Sequence, residues 1–277
     1  MTAKRLRLAE ARSVLDVGCG IGHWGQFLAP VLSTDAQVIG VDREETWVTQ
    51  ATKRAVAFGL ASQYRYQQGD VTQLPFDNGM FDLVTCQTVL IHLKDPKVGL
   101  REMLRVLKPG GLLLAAEPNN FANRAVMNSL TERLSIDEVM DRLKFDLTVE
   151  RGKQALGLGF NSAGDMIPGY LAELGGENIQ VYLSDKAVPL FAPYSSKEQQ
   201  VYVQQMKDWS KRRFIGWDRD EVRGYFLAGG GCEDEFDRSY SLMIRDNEEA
   251  VKAIDHGTYH SAGGGIFYLV AARKPRR

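Results

Sequence analysis

DVGCGIGHWG, residues 16–25, carries two overlapping glycine patterns. Gly18, Gly20 and Gly22 read G-x-G-x-G, whereas Gly20, Gly22 and Gly25 read G-x-G-x-x-G, the dinucleotide fingerprint. Both follow the apolar pair Val14-Leu15. Both precede a stretch, His23 to Leu32, in which Trp24, Phe27, Leu28 and Val31 stand at helical spacing. Strand, glycine turn and helix in that order suit a nucleotide, because a helix N-terminus attracts anions and glycine lets a ligand approach the backbone. Which nucleotide this turn holds decides the reaction class.

Outward from the turn, strand and helix signals alternate up to residue 118. The strands expected are 14–17, 37–41, 63–67, 81–86 and 112–116. Helices are expected over 23–32 and 45–58, the latter with Trp47, Ala51, Ala55 and Phe58 near one face. A further helix opens at Asp95-Pro96, where Asp can cap and Pro suits the first position, and ends at Pro109-Gly110-Gly111. Repeated β-α-β with apolar strands implies a parallel sheet covered on both faces. Past Glu117-Pro118 the rhythm changes. Residues 121–154 and 196–254 are polar and helical in period, with a helix expected at 165–174 and strands at 179–184 and 265–272. The expected organisation is a core of 1–118, 165–185 and 263–277, with helical inserts at 119–164 and 186–262.

The chain has 277 residues, 44% hydrophobic and 25% charged, which suits one large domain with an elaboration. A net charge of -1 does not favour a nucleic-acid partner. Three cysteines and four histidines, without ligand spacing, imply neither a disulfide framework nor a metal site. No apolar run approaches a membrane span and no secretory h-region opens the chain, so a soluble, cytoplasmic protein is expected.

Asp16 separates the two glycine readings. A carboxylate under the turn would repel a pyrophosphate but attract a cation. S-adenosylmethionine brings an ammonium and a sulfonium there, and no phosphate. Asp42 ends the second strand, 20 residues after Gly22, where an acid meets a ribose in either cofactor class. Asp70, in Gly69-Asp70-Val71, suits an exocyclic amine, with the Val71 amide free for a ring nitrogen. Three acids after three successive strands make an acidic rim.

DVGCGIGHWG, VIGVD, QGDVTQLPF, FDLVTC and LREMLRVLKPGGLLLAAEPN resemble, in order, the motifs of class I S-adenosylmethionine-dependent methyltransferases. The nearest likeness is to the broad bacterial and archaeal group acting on small molecules, quinone-type C-methyltransferases included. The resemblance covers about residues 13 to 120. It implies an α/β fold: a Rossmann-like, seven-stranded, doubly wound sheet with the last strand antiparallel, here carrying helical cap inserts. It also implies a cofactor-lining set of Asp16, Gly18, Cys19, Gly20, Gly22, Asp42, Arg43, Asp70, Val71 and Gln87. The methionine part would lie over Asp16 and the glycines, the ribose at Asp42 and the adenine at Asp70-Val71. Many relatives have a longer segment before the first strand, so closure is expected from the inserts or from a partner chain in a homo-oligomer.

Each residue also has a plainer reading. On that reading Asp16 only caps the turn, Asp42 caps the following helix, and Arg43 sits in solvent. Cys19 is read as chosen for size. His92, in QTVLIHL, lies where a transferred methyl should point. It is either a general base or a pocket wall. Glu117 ends the fifth strand and reads first as a structural carboxylate, second as a group reaching the substrate mouth. Tyr202, Met206, Trp209, Phe214 and Trp217 read first as core, second as a substrate lining. The expected reaction is methyl transfer from S-adenosyl-L-methionine to the O, N or C atom of a small molecule, leaving S-adenosyl-L-homocysteine. The alternatives are an NAD(P)-dependent oxidoreductase and a cofactor-binding protein without turnover.

Overall fold

A computed structural model of the chain describes residues 2–184, 187–263 and 265–276. A short helix, Thr2–Arg5 (α1), leads into Ser13–Val17 (β1), where every residue after the first is buried. A strand buried on both faces needs helices on both sides. The chain then runs His23–Leu28 (α2), Gln37–Asp42 (β2), Glu45–Ala57 (α3), Tyr64–Gln68 (β3), Phe81–Gln87 (β4), Pro96–Val106 (α4) and Leu107–Pro118 (β5). Two helices follow, Asn120–Arg124 (α5) and Ile136–Ala155 (α6), and then Ile167–Glu173 (α7) and Glu177–Leu183 (β6). Lys197–Arg212 (α8), Arg219–Ala228 (α9), Glu233–Asp255 (α10) and Phe267–Arg273 (β7) complete the order.

The seven strands form one sheet in the order β3-β2-β1-β4-β5-β7-β6. β1 to β5 pair in parallel, and β7 runs antiparallel to both β5 and β6. This is the Rossmann-like arrangement with a reversed last strand that the motifs imply. The chain turns back across the sheet at β1 and β4, so a crevice opens outside their C-terminal ends.

Local signals act as expected in α4. Asp95 accepts the Lys97 amide hydrogen at 2.9 Å, Pro96 opens the helix, and Leu100 and Met103 are fully buried. Elsewhere tertiary context overrides them. α2 stops at Leu28 and continues as a 3-10 turn over Ala29–Val31, where Pro30 lacks the amide that an α-helix would use. On α3 only Ala51 and Ala55 reach the core, while Trp47 and Phe58 are exposed. Pro109-Gly110-Gly111 does not end a helix but lies inside β5. Leu107 already pairs with Phe81, and the ladder resumes at Leu83 with Leu112, so the extra residues bulge out where Gly110 turns to φ 76°.

The chain divides into two compact units. The first is Met1–Pro118, Ala163–Ser184 and Phe267–Arg277, and it holds the whole sheet. The second is Asn119–Ser162 with Asp185–Ile266. Within it, α6 from one segment packs on α9 and α10 from the other around Phe145, Val222, Phe226, Phe236 and Ile244. α6 and α9 touch backbone to backbone. A Cβ on Gly152 would lie 1.6 Å from the Tyr225 carbonyl oxygen, and one on Gly229 would lie 2.0 Å from that of Thr148. Reciprocal capping boxes, Ser135 with Glu138 and Ser196 with Gln199, start α6 and α8. The aromatic stretch 202–217 divides: Met206 and Trp217 pack on buried clusters, while Tyr202 and Trp209 are exposed.

Candidate cofactor site

The strand order 3-2-1-4-5 sets the expected site residues in a row along the C-terminal edge of the sheet. Asp70 follows β3, Asp42 ends β2, the glycine turn follows β1, Gln87 ends β4 and Glu117 lies near the end of β5.

Gly18, Gly20 and Gly22 all have positive φ, at 62°, 50° and 76°. That backbone brings the turn against the loop after β4, where Gly18 lies over Val89: a Cβ there would stand 2.5 Å from a Val89 methyl. Gly20 faces the other way. A Cβ on it would meet no protein atom within 4 Å, so the turn presents open backbone at its crest. Gly25 differs from these three. Its φ is ordinary, and a Cβ there would lie 2.7 Å from Asp16 Oδ2. The third glycine of G-x-G-x-x-G therefore makes room for Asp16, where α2 comes close to β1.

Asp16 is 1% exposed and accepts the Gly25 amide hydrogen at 3.0 Å. Gly25 lies in the first turn of α2, so Asp16 caps that helix from the neighbouring strand. Burial lifts its carboxyl to about pKa 7, the Gly25 amide opposes the shift, and the Asp42 charge adds to it. Asp42 Oδ2 accepts from the Gly20 amide at 2.8 Å and Oδ1 from the Glu44 amide at 3.0 Å. It therefore ties the glycine turn to the end of β2 instead of capping α3, whose N-cap is Glu44. One lone pair on each oxygen remains for a ligand.

Asp70 is exposed, and its Oδ1 accepts from the Thr72 amide and hydroxyl at 2.7 and 2.6 Å. Those bonds, the hydroxyl first, hold its carboxyl below the usual range and keep it ionised. Val71 is half-buried and packs on the core. Arg43 is exposed and pairs with Glu44 at 3.3 Å. Cys19 is buried, and burial with the nearby Asp16 and Asp42 charges pushes its thiol far up, so it is no nucleophile. His92 is exposed in a 3-10 turn, Leu90–His92.

Glu117 is fully buried, and its Oε1 accepts from the Val89 and Leu90 amides, both at 3.0 Å. It fixes the loop that carries His92, as a structural carboxylate would. Burial lifts it to about pKa 7, and its Oε2 has no hydrogen-bond partner.

Sequence reasoning missed the supports beneath the turn. The Tyr66 hydroxyl accepts from Gln26 at 3.0 Å, and its ring covers Gly40, where a Cβ would stand 2.4 Å away. Tyr64 donates to the Gly25 carbonyl at 3.0 Å, and Trp24 to Thr85 at 2.8 Å. The aromatic character of the third strand was the signal available. No group of His, Cys, Asp and Glu among the described residues is arranged to hold a metal ion, and no helix among them is long and apolar enough to cross a membrane.

Known proteins share this architecture. Residues 15–115 match the methyltransferase domain family. Over 110 residues the chain is 36% identical to sterol 24-C-methyltransferase of Aspergillus fumigatus, covering 40% of this chain and 29% of that protein. Over 116 residues it is 35% identical to demethylmenaquinone methyltransferase of Lactiplantibacillus plantarum, covering 42% and 49%. The match thus spans half or less of either relative. In fold, the chain is similar to the YcgJ protein of Bacillus subtilis, with a TM-score of 0.53 at 18% identity over 100% of this chain and 97% of that one. Over residues 15–115, the chain is thus similar to the methyltransferase domain family and to these methyltransferases.

Proposed function

We propose that the protein transfers the methyl group of S-adenosylmethionine to a small-molecule acceptor. The observation that carries this is the relation of Asp16 to the glycine turn: a buried acid under open backbone, with Asp42 and Asp70 beside it along one edge. That donor set fits a cationic, phosphate-free nucleoside. Asp16, Gly18, Cys19, Gly20, Gly22 and Gln87 would hold its methionine end. Asp42 would accept from the ribose hydroxyls with Arg43 nearby, and Asp70 with the Val71 amide would take the adenine. When bound, the cofactor supplies an activated methyl on a positive sulfur, so the protein's share of the work is alignment and exclusion of water.

Asp42 would orient the ribose and the crest of the turn together, since its carboxylate already accepts from the Gly20 amide. Glu117 sets the loop of Val89 and Leu90, and through it His92. His92 would take the acceptor's proton where the acceptor is a phenol or a carbon acid. The helical unit would supply acceptor recognition. In support, the connections to it leave the sheet unit beside Pro118, Ser184 and Phe267, at the edge where β5 and β6 end and the antiparallel β7 begins. The two methyltransferases named above carry a carbon acceptor in one name and a quinone precursor in the other, which favours a carbon or phenol-type acceptor. Incubation of the purified protein with methyl-labelled S-adenosylmethionine and a panel of phenol, carbon-acid, amine and carboxylate acceptors tests this. Label in a phenol or carbon acid supports it, and label in amines alone would shift the assignment to an N-methyltransferase.

A further inference from the structure

At the opposite edge of the sheet, where β5 and β6 begin and β7 ends, a cleft of about 630 Å³ has no part in the methyltransferase site. Four cations line it, Arg7, Arg273, Lys274 and Arg276, against two carboxylates, Glu10 and Glu177. A second cleft, of about 230 Å³, adjoins it and shares Arg7, Glu10, Gly110 and Arg273.

The cations are not equally committed. Arg7 pairs with Glu10 at 2.6 Å. Lys274 donates to the carbonyls of Arg105 and Leu107, at 3.0 and 2.8 Å, and so caps the C-terminal end of α4. Arg273 is half-buried and held by neutral carbonyls, of Gly110 at 3.2 Å and Leu6 at 3.3 Å. Arg276 lies over Gly110, whose Cβ, were there one, would stand 3.3 Å from Arg276 Nε. Among the described residues, neither Arg273 nor Arg276 makes an ion pair. Burial lowers the proton affinity of Arg273, and the charges of Arg7 and Arg276 lower it further, with Glu10 only partly offsetting them. Like charges are thus crowded around a concave, roomy place.

We propose that this cleft binds a small phosphate-bearing anion. Guanidinium groups present paired donors that match phosphate oxygens, and a bound dianion would relieve the mutual repulsion of Arg7, Arg273 and Arg276. A long polyanion fits less well, because Glu10 and Glu177 interrupt the positive lining and the whole chain carries a net charge of -1.

Titration calorimetry with inorganic pyrophosphate at fixed ionic strength tests the proposal on the full chain. Saturable binding is expected, at least about tenfold weaker in Arg276→Glu and in Arg7→Glu. Lys53→Glu, the same charge change at an exposed site on α3, should bind as the parent does. Affinity for S-adenosylhomocysteine should be the same in all four proteins, which keeps this site apart from the other. An absence of saturable binding, an equal loss in Lys53→Glu, or tighter binding of a short single-stranded RNA than of pyrophosphate would overturn it.

Discussion

Asp16 and Gly25 hold each other in place: the carboxylate accepts the Gly25 amide hydrogen at 3.0 Å, and only a residue without a Cβ leaves room for it. The acid near the end of β1 thereby fixes the start of α2, and the glycine turn is stretched between two anchored points. A double-mutant cycle measures this. Gly25→Ala should destabilise by roughly 1 to 3 kcal/mol through crowding, and the cost should shrink in an Asp16→Ala background. Additive costs in thermal or urea unfolding would separate the two residues.

Asp42→Ala should weaken the binding of S-adenosylhomocysteine by at least about two orders of magnitude, since charge-assisted bonds to two hydroxyls would contribute roughly 1.5 to 3 kcal/mol each. The Gly20 and Glu44 amides lose their acceptor as well. Asp42→Asn should keep one side-chain oxygen as an acceptor and recover part of the affinity. A folded Asp42→Ala protein with unchanged affinity would place the ribose elsewhere.

Glu117 gives the stability a pH dependence of definite sign. Its folded pKa, about 7, lies above the ordinary 4.5, so folding takes up a proton between those values. The stability it contributes is fully present below about pH 4.5 and is lost as pH rises through 7. Relative to Glu117→Gln, the parent should gain roughly 3 kcal/mol between pH 8 and pH 4.5. A pH-independent difference between the two would mean that Glu117 stays ionised throughout.

Gly152→Ala should destabilise the helical unit by about 3 kcal/mol, because the new methyl meets the Tyr225 carbonyl and the α6 and α9 backbones must separate. Gly169→Ala, where a Cβ meets no atom within 4 Å, is the control. Equal unfolding midpoints for the two variants would contradict the close helix contact.

Trp209→Ala should lower acceptor turnover by roughly tenfold and leave donor affinity unchanged, if the helical unit recognises the acceptor. Trp209 is suited to the test because it is partly exposed and packs edge-on against Phe214 at 5.2 Å. Trp217 packs on the core cluster of its unit and would report on stability instead. Parallel kinetics and calorimetry decide. A loss of donor affinity matching the loss of turnover would argue against a separate acceptor unit.

The parts of the fold that were legible in the sequence are those written locally. The strand, turn and helix from Val14 onward, the Asp95 cap and the order of acids at successive strand ends all depend on neighbours within a few residues. Where a residue's role is set across the sheet, the sequence misled or was silent. Pro109-Gly110-Gly111 reads as a helix stop, yet the strand begins before it because Leu107 finds Phe81. Tyr66 gives no sign that it will cover Gly40, nor Glu117 that it will hold two amides from another loop. α6 reads as a polar helix, but Asp146, Glu150 and Lys153 are buried on it, with Arg124, Ser162 and Asn161 as their partners.

On the proposed function, the acidic, glycine-lined edge takes the methyl donor and not a dinucleotide. Thermal unfolding of the full chain with each ligand tests it most directly. A ligand that binds only the folded state adds about 2.7 kcal/mol at a hundred times its dissociation constant. S-adenosylmethionine and S-adenosylhomocysteine should each raise the midpoint, and NAD and NADP should leave it where it is. A rise with NAD or NADP and none with the methyl donor would make this edge a dinucleotide site.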